Sequence, residues 1–432
     1  MSRIMFCGTG SGSGKTTITC GIIKALKNRK LNISAYKCGP DYIDSMYHRA
    51  IGVKSSNLDS FFCNRDELNY LLYNEDFSVI EGAMGFYDGL NFTTRASAWE
   101  ISELTNTPVV LIVDCKGIGN SVVAILKGFL ELNKNNIKGV IFNSVSKHTY
   151  EKLKEVVEKS LNIKALGYFP KNDNFKFESR HLGLKTPEDI SEKLELLGKQ
   201  AEESIDLEGI IEIGKGAEPI KECKITLNKS FNHIVALAYD EAFSFIYEDN
   251  IRLLEAYGCK IVYFSPLRDK KLPPCTRLIL SGGYPELYGR ELSENKELLA
   301  DINNKISGGL KTIAECGGFI YLHSEMEDIE GNIYKMADVI KGRAFKTNRL
   351  GHFGYFNMVA KADNLICKGN EEVSVHEFHY WDSTSLGEDF ILTKPTTQRE
   401  HCSGNGTKNF YGGFPHIYFL GNRKAVERFL ED

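Results

Sequence analysis

Gly8-Thr9-Gly10-Ser11-Gly12-Ser13-Gly14-Lys15-Thr16-Thr17 is the stretch whose reading decides the fold of the first half of this chain. Residues of β-type character, 3–7, run into it, and a helix-compatible run, 18–27, leaves it. Strand, glycine-rich loop and helix together are the setting of a phosphate-binding loop. Gly10, Gly12 and Gly14 let successive backbone N–H groups curl around a polyphosphate, and the helix N-terminus adds a favourable dipole. Lys15 supplies a point charge to the outer phosphates, the Thr16 hydroxyl can ligate Mg²⁺, and Thr17 completes the motif. The strict pattern has glycine where Thr9 stands.

Working outward, short apolar runs at 4–7, 33–37, 78–81, 109–113, 139–142 and 165–168 read as strands. Helical patterns such as 96–105, 122–132 and 150–160 lie between them. This alternation predicts an α/β fold with a doubly wound, mostly parallel sheet, in which ligands sit beyond the carboxyl ends of the strands. Periodicity fades over 214–230, which reads as a linker between a first domain, 1–213, and a second, 231–432. The second resumes the alternation: strand 233–239, helix 243–256, strands 260–264 and 277–280, a helix ending near 306, and strand 311–314.

The composition narrows the function. A chain of 432 residues with a formal net charge of −4 lacks the basic excess of a nucleic-acid or membrane-surface binder. No apolar stretch is long enough to span a bilayer, and no apolar leader precedes the loop. The 11 cysteines are scattered without a Cys-x-x-Cys, which argues against a zinc ribbon or a disulfide framework and fits a reducing cytoplasm.

Two motifs follow strands of the first half. Lys37-Cys38-Gly39-Pro40-Asp41-Tyr42-Ile43-Asp44 turns at Gly-Pro and carries two aspartates, Asp41 and Asp44, able to hold a metal or position a substrate. Glu81-Gly82-Ala83-Met84-Gly85-Phe86-Tyr87-Asp88-Gly89 places Glu81 at a strand end, where a hard carboxylate suits Mg²⁺. Asp114 has the same setting or caps a helix, and Asn143 can meet a base or serve a turn.

The second half carries a different chemistry. Ala314-Glu315-Cys316-Gly317-Gly318 puts a cysteine between an apolar strand and two glycines, as for a nucleophile on a tight strand-to-helix turn. Ser281-Gly282-Gly283-Tyr284-Pro285-Glu286 follows another strand, and His416 lies near the end of the chain. Thiolate attack on an amide needs a base, backbone donors for the oxyanion and a pocket. Cys316 as nucleophile, His416 as base, and the N–H groups of Gly283 and Gly317 as the oxyanion hole meet that need. A third cluster, Val375-His376-Glu377-Phe378-His379-Tyr380, would ligate a metal through its histidines if helical, but its β-type flanks predict a strand that turns them to opposite faces.

With these residues in place, the chain resembles the cobyrinic acid a,c-diamide synthase family, the amidating enzymes of corrinoid biosynthesis. The matches run in order along nearly the whole length: the loop 8–17, 37–44, Asn57-Leu58-Asp59, 81–89, Arg180-His181-Leu182-Gly183-Leu184, 281–288, 315–322 and 376–380. The resemblance implies a dethiobiotin-synthetase-like P-loop domain, in which Thr at position 9 is usual, followed by a class I glutamine-amidotransferase-like domain. It implies an ATP- and Mg²⁺-dependent ligase with L-glutamine as nitrogen donor. Cys316 and His416 would release ammonia, and the first domain would phosphorylate carboxylates of cobyrinic acid. Ammonia would then attack the acyl phosphates at the c and a acetates, reaching them by a sheltered path. Thr16 and Glu81 would hold the metal, and Asp41, Asp44, Asp88, Asn57, Asp59, Arg180 and His181 would serve substrate and phosphoryl transfer. Partners would be small molecules, with no nucleic acid or membrane, and a homodimer is one assembly left open.

Four positions depart from the family pattern. Tyr418 stands two residues after His416, where glutaminases of this class carry Glu and this family His, which leaves open what orients His416. His352 and Phe353 replace Tyr and Arg, and Val375 replaces Gly. Arg180, Lys185, Arg343, Lys346 and Arg349 remain as carboxylate contacts. The changes keep alive a paralogue that amidates another cyclic tetrapyrrole, such as nickel-sirohydrochlorin.

Overall fold

Parallel strands with both faces covered need near-continuous apolar runs, and the first half supplies them. The computed structural model describes residues 1–74, 76–175, 177, 187–348 and 350–432, with backbone alone at 187–189. It divides into two units, Met1–Ile225 and Thr226–Asp432. Among the described residues no helix is long and apolar enough to cross a membrane.

In the first unit, β1 (Arg3–Gly8), β2 (Ile33–Cys38), β3 (Lys54–Leu58), β4 (Phe77–Gly85), β5 (Val109–Asp114), β6 (Ile137–Asn143) and β7 (Lys164–Phe169) form one sheet. Its order is β3-β2-β4-β1-β5-β6-β7, and every pair is parallel. Ile4, Phe6, Val110, Ile112 and Ile141 of its central strands are wholly buried. They share a core with Ile18, Ile22 and Leu26 of α1 (Lys15–Asn28) and with Leu194 and Leu197 of the helix Pro187–Ser204. Removing each such side chain from water contributes about 1.5–3 kcal/mol, which fixes α1 and therefore the loop that enters it. β3 has no counterpart among the predicted strands. Its sequence, Lys-Ser-Ser-Asn-Leu, lacks an apolar period because it is an edge strand whose polar residues serve neighbouring loops.

The second unit starts on β8 (Ile234–Ala238), β9 (Phe243–Phe245), β10 (Lys260–Phe264), β11 (Arg277–Leu280), β12 (Gly282–Gly283) and β13 (Lys311–Glu315). The main sheet runs β10-β8-β11-β13, then Phe410–Gly413, all parallel, and ends on the antiparallel Asn405–Thr407. The single helix expected over 243–256 is a strand followed by a helix. Phe243-Ser244-Phe245 pairs with β12, and the helix Glu248–Ala256 begins only at Glu248 and Asp249, acids that suit a positive helix end. A five-stranded antiparallel sheet follows in the order Glu400–Ser403, Phe390–Thr393, Phe353–Ala360, Glu372–Phe378, His416–Ile417. His376 and Glu377 therefore lie in a strand and face opposite sides of it.

Candidate functional sites

The phosphate loop is held by its neighbours before any ligand is considered. Gly12 and Gly14 have φ of 76° and 94°, in the left-handed region. A Cβ on Gly14 would lie 2.3 Å from Asn143 Nδ2, so a side chain there would displace the amide that pins the loop. Asn143 donates that amide to the Ser13 carbonyl at 2.9 Å, and its Oδ1 accepts from the Ser144 N–H. Lys15 Nζ donates to the Gly10 carbonyl at 3.0 Å. Burial, and then the charge of Lys37, lower its pKa.

Four elements converge at the start of α1. Thr16 Oγ1 donates to Glu81 Oε1 at 2.7 Å and to Asp44 Oδ2 at 3.3 Å. Glu81, fully buried in β4, also accepts from Lys37 Nζ at 2.9 Å, and its Oε2 lies 2.9 Å from His48 Nε2. Lys37 reaches Asp44 at 2.7 Å. Burial alone would raise the Glu81 pKa, but Lys37 and His48 hold it well below the usual carboxylate range. Burial alone would lower that of Lys37, and Asp44 and Glu81 more than reverse this. Two carboxylates against one ammonium leave a formal negative charge beside the loop. The donor set fits Mg²⁺: adjacent oxygens on an octahedron with bonds of 2.0–2.1 Å lie about 2.9 Å apart, close to the Thr16–Glu81 separation of 2.7 Å.

The other residues singled out in this half shape the loops. Asp41 Oδ1 accepts from the N–H groups of Ile43 and Asp44 and so caps α2 (Ile43–Ala50). Asn57 donates to the carbonyls of Gly39 and Asp41, both at 2.9 Å, and ties β3 to the turn that presents Asp44. Asp59 Oδ1 accepts from Phe61 N–H, and Asp88 Oδ2 from Gly85 N–H. Thr17 Oγ1 donates to the Phe175 carbonyl. Arg180, His181, Lys185 and Arg349 lie outside the described residues. Arg343 is engaged by Glu325 at 2.7 Å, and Lys346 by the Ile329 carbonyl. Sequence reasoning gave no role to Lys37 or His48. The signal for His48 is its place four residues after Asp44, on the same face of a helix.

The second site is a strained turn between β13 and the helix Gly317–Tyr321. Cys316 sits there at φ 48°, ψ −104°, a conformation rare outside glycine. Its N–H donates to the Gly413 carbonyl at 2.8 Å. A strand–nucleophile–helix elbow projects the side chain away from its own backbone and leaves the next N–H groups free to face it. Gly283 and Gly317 abut: a Cβ on Gly317 would lie 2.9 Å from Gly283 N.

His416 is buried and hydrogen-bonds Cys316. Burial opposes its charge, but Cys316 and the nearby Glu315 carboxylate push its pKa up to about 10. Glu315 is the group that orients it. One carboxylate oxygen accepts from Ile417 N–H at 3.0 Å, and the other lies 3.6 Å from His416 Nδ1, an electrostatic contact longer than a hydrogen bond. Tyr418 is elsewhere: its hydroxyl donates to Asp249 Oδ2 at 3.1 Å, and its ring meets Tyr247 edge-on. The acid comes from the residue before the nucleophile, not from the one two places after the histidine. Gly282 leaves the imidazole room, since a Cβ there would fall 2.6 Å from His416 Cε1. A sulfur nucleophile, a charged imidazole, an orienting carboxylate and two backbone amides are the parts of an amide-cleaving thiol site.

Comparisons with known proteins match both halves. The CobQ/CobB/MinD/ParA nucleotide binding domain family matches residues 4–184, and the CobB/CobQ-like glutamine amidotransferase domain family matches residues 234–424. The chain is 38% identical to the cobyrinate a,c-diamide synthase of Caldanaerobacter subterraneus subsp. tengcongensis, over 100% of this chain and 98% of that protein. It is 39% identical to the protein of that name from Fusobacterium nucleatum subsp. nucleatum, over 99% of each. For the one from Clostridium tetani the identity is 36%, over 100% of both.

Proposed function

Because the chain belongs to the cobyrinate a,c-diamide synthase family, we propose that it converts the a- and c-acetate carboxylates of cobyrinic acid to amides, activating each with ATP and Mg²⁺. It is a glutamine-dependent amide ligase with a nucleotide-binding domain, of cobalamin biosynthesis. Each carboxylate oxygen attacks the γ-phosphorus of ATP and ADP leaves, giving an acyl phosphate. Gly12, Gly14 and Lys15 bind the phosphates, and Thr16 and Glu81 would hold the metal, which would offset charge on the transferring group. Asp41, Asp44, Asn57, Asp59 and Asp88, with Arg180 and His181, shape the place of the acceptor.

In the second unit Cys316 Sγ attacks the glutamine side-chain amide, and the N–H groups of Gly283 and Gly317 take the oxyanion. His416 gives its proton to the departing ammonia, and water then cleaves the thioester to glutamate. Ammonia attacks the acyl phosphate and inorganic phosphate leaves. The enzyme works in the cytoplasm on small molecules, and a homodimer is the assembly to look for by light scattering.

The observation that carries this reading is the presence, in one chain, of Thr16 against Glu81 behind a phosphate loop and of Cys316 on a strained elbow with His416 and Glu315 beside it. Incubation with cobyrinic acid, ATP, Mg²⁺ and glutamine tests it. The expected result is the a,c-diamide by mass spectrometry, with one ADP and one glutamate per amide. Inertness toward cobyrinic acid with turnover of nickel-sirohydrochlorin would give the substrate to the paralogue, a reading that His352, Phe353 and Val375 favour.

A further inference from the structure

The two oxygens of the buried Glu81 carboxylate are held by different elements. Oε1 accepts from Thr16 Oγ1 at 2.7 Å, where α1 leaves the phosphate loop, and from Lys37 Nζ of β2 at 2.9 Å. Among the described residues, the hydrogen-bond partner of Oε2 is His48 Nε2, at 2.9 Å. A buried carboxylate oxygen without a donor is costly. The last torsion of a glutamate side chain is also broad, so a carboxylate with one oxygen unheld turns about it. His48 is therefore the group that decides which oxygen Glu81 keeps for Thr16. Lys37 cannot take this part, because it meets the same oxygen as Thr16 does.

The imidazole is itself held in place. His48 is wholly buried on α2, four residues after Asp44. One face of that helix thus brings Asp44 Oδ2 to 3.3 Å from Thr16 Oγ1 and His48 to Glu81. The other ring nitrogen, Nδ1, lies 3.4 Å from Ser55 Oγ, a buried hydroxyl of β3. Lys37 and His48 keep Glu81 ionised. An ionised carboxylate only accepts, so the hydrogen between it and the ring sits on Nε2. Ser55, His48, Glu81 and Thr16 form a buried polar chain from the edge strand through α2 and β4 to the phosphate loop.

We propose that His48 is a positioning residue of the phosphoryl-transfer site: by donating from Nε2 to Glu81 Oε2, with Ser55 behind it, His48 turns Oε1 toward Thr16 and the place of the metal. This rests on the reading of Thr16 and Glu81 as the residues that would hold the metal. Outer partners of a ligating carboxylate orient it, and their removal typically costs about 10–100-fold in metal affinity.

The test uses the full chain carrying one equivalent of ADP, titrated with Mn²⁺ and followed by the electron paramagnetic resonance of the free ion. Glu81→Gln checks the underlying reading. It should lose Mn²⁺ affinity, and unchanged affinity would overturn both the metal assignment and the part given to His48. Where Glu81→Gln shows that loss, His48→Leu should weaken Mn²⁺ binding about tenfold or more. His48→Gln, whose side-chain amide can place an N–H near the position of Nε2, should recover most of it. Equal Mn²⁺ affinity in the parent and His48→Leu, or equal losses in His48→Leu and His48→Gln, would overturn the proposal while leaving the metal assignment intact. A matching fall in ADP affinity measured in EDTA would mark a general structural loss and overturn it too. A second measurement serves if His48→Leu folds poorly. Histidine-selective ¹⁵N NMR of the parent, with the His48 signals assigned by their absence from His48→Gln, should show a ring hydrogen on Nε2. A hydrogen on Nδ1 alone would overturn the proposal.

Discussion

Glu315 shows how much one residue can do when both of its oxygens are used. One holds the Ile417 N–H, fixing the strand that carries the histidine, and the other faces His416 Nδ1. The imidazole is pushed up to about 10 by Cys316 and Glu315 against the effect of burial. A histidine whose folded-state pKa exceeds its unfolded value adds stability that is fully present below the unfolded pKa and lost as pH rises through the folded one. For His416 that loss spans pH 6.5 to about 10. In the proposed mechanism the same proton goes to the departing ammonia. Replacing Glu315 with Gln keeps an oxygen for Ile417 N–H but removes the charge. Glutamine-supported kcat should fall on the order of 10²-fold, and the alkaline limb of its pH profile should move to lower pH. Both are read in a coupled glutamate assay, and an unmoved alkaline limb would remove Glu315 from its positioning role.

At the scale of elements, two short segments were legible in the sequence because their backbones admit few residue types. The phosphate loop needs glycine at position 14, where φ is 94° and Asn143 leaves no room for a Cβ. The cysteine elbow needs small residues on its C-terminal side, as Gly317 and Gly318 show. The strands β1, β2, β4, β5, β6 and β7 were legible too, since buried parallel strands are written in apolar runs. What was not legible depends on convergence. Lys37 stands within a motif, but that its amine meets both Asp44 and Glu81 follows from the pairing of β2 with β4 and the angle of α2. β3 escaped because its side chains are polar, and β9 because its three residues merge into a helical pattern. Gly14→Ala tests the loop as an element. The strained φ should cost about 1–3 kcal/mol of stability, and the displaced Asn143 amide should release Ser13. Nucleotide titration is expected to show affinity reduced by more than tenfold, and wild-type affinity would mean that the loop does not bind phosphate in this shape.

For the molecule as a whole, the decisive matter is the separation of two bond-making steps with opposite needs. On the proposed mechanism acyl phosphate formation needs cations around departing oxygens, and the first unit gathers Lys15 and oxygen donors that would hold a metal. Glutamine cleavage needs a nucleophile beside a charged imidazole, and in the proposed mechanism the second unit supplies Cys316 with His416. The two steps share only ammonia, which is mostly protonated and non-nucleophilic at neutral pH. This division makes single-site losses distinguishable. With Cys316→Ala, glutamine-supported amidation should fall by at least about 10³-fold, while ammonium-supported amidation survives and climbs with pH as the free base becomes available. With Lys15→Ala, ATP cleavage and amidation should fail with either nitrogen source. Measuring ADP and amide for both variants across pH 7 to 9 decides the matter. If Cys316→Ala still used glutamine, or if its ammonium-supported rate were lost together with the glutamine-supported one, sulfur would not be the source of the nitrogen and the division of labour would fail.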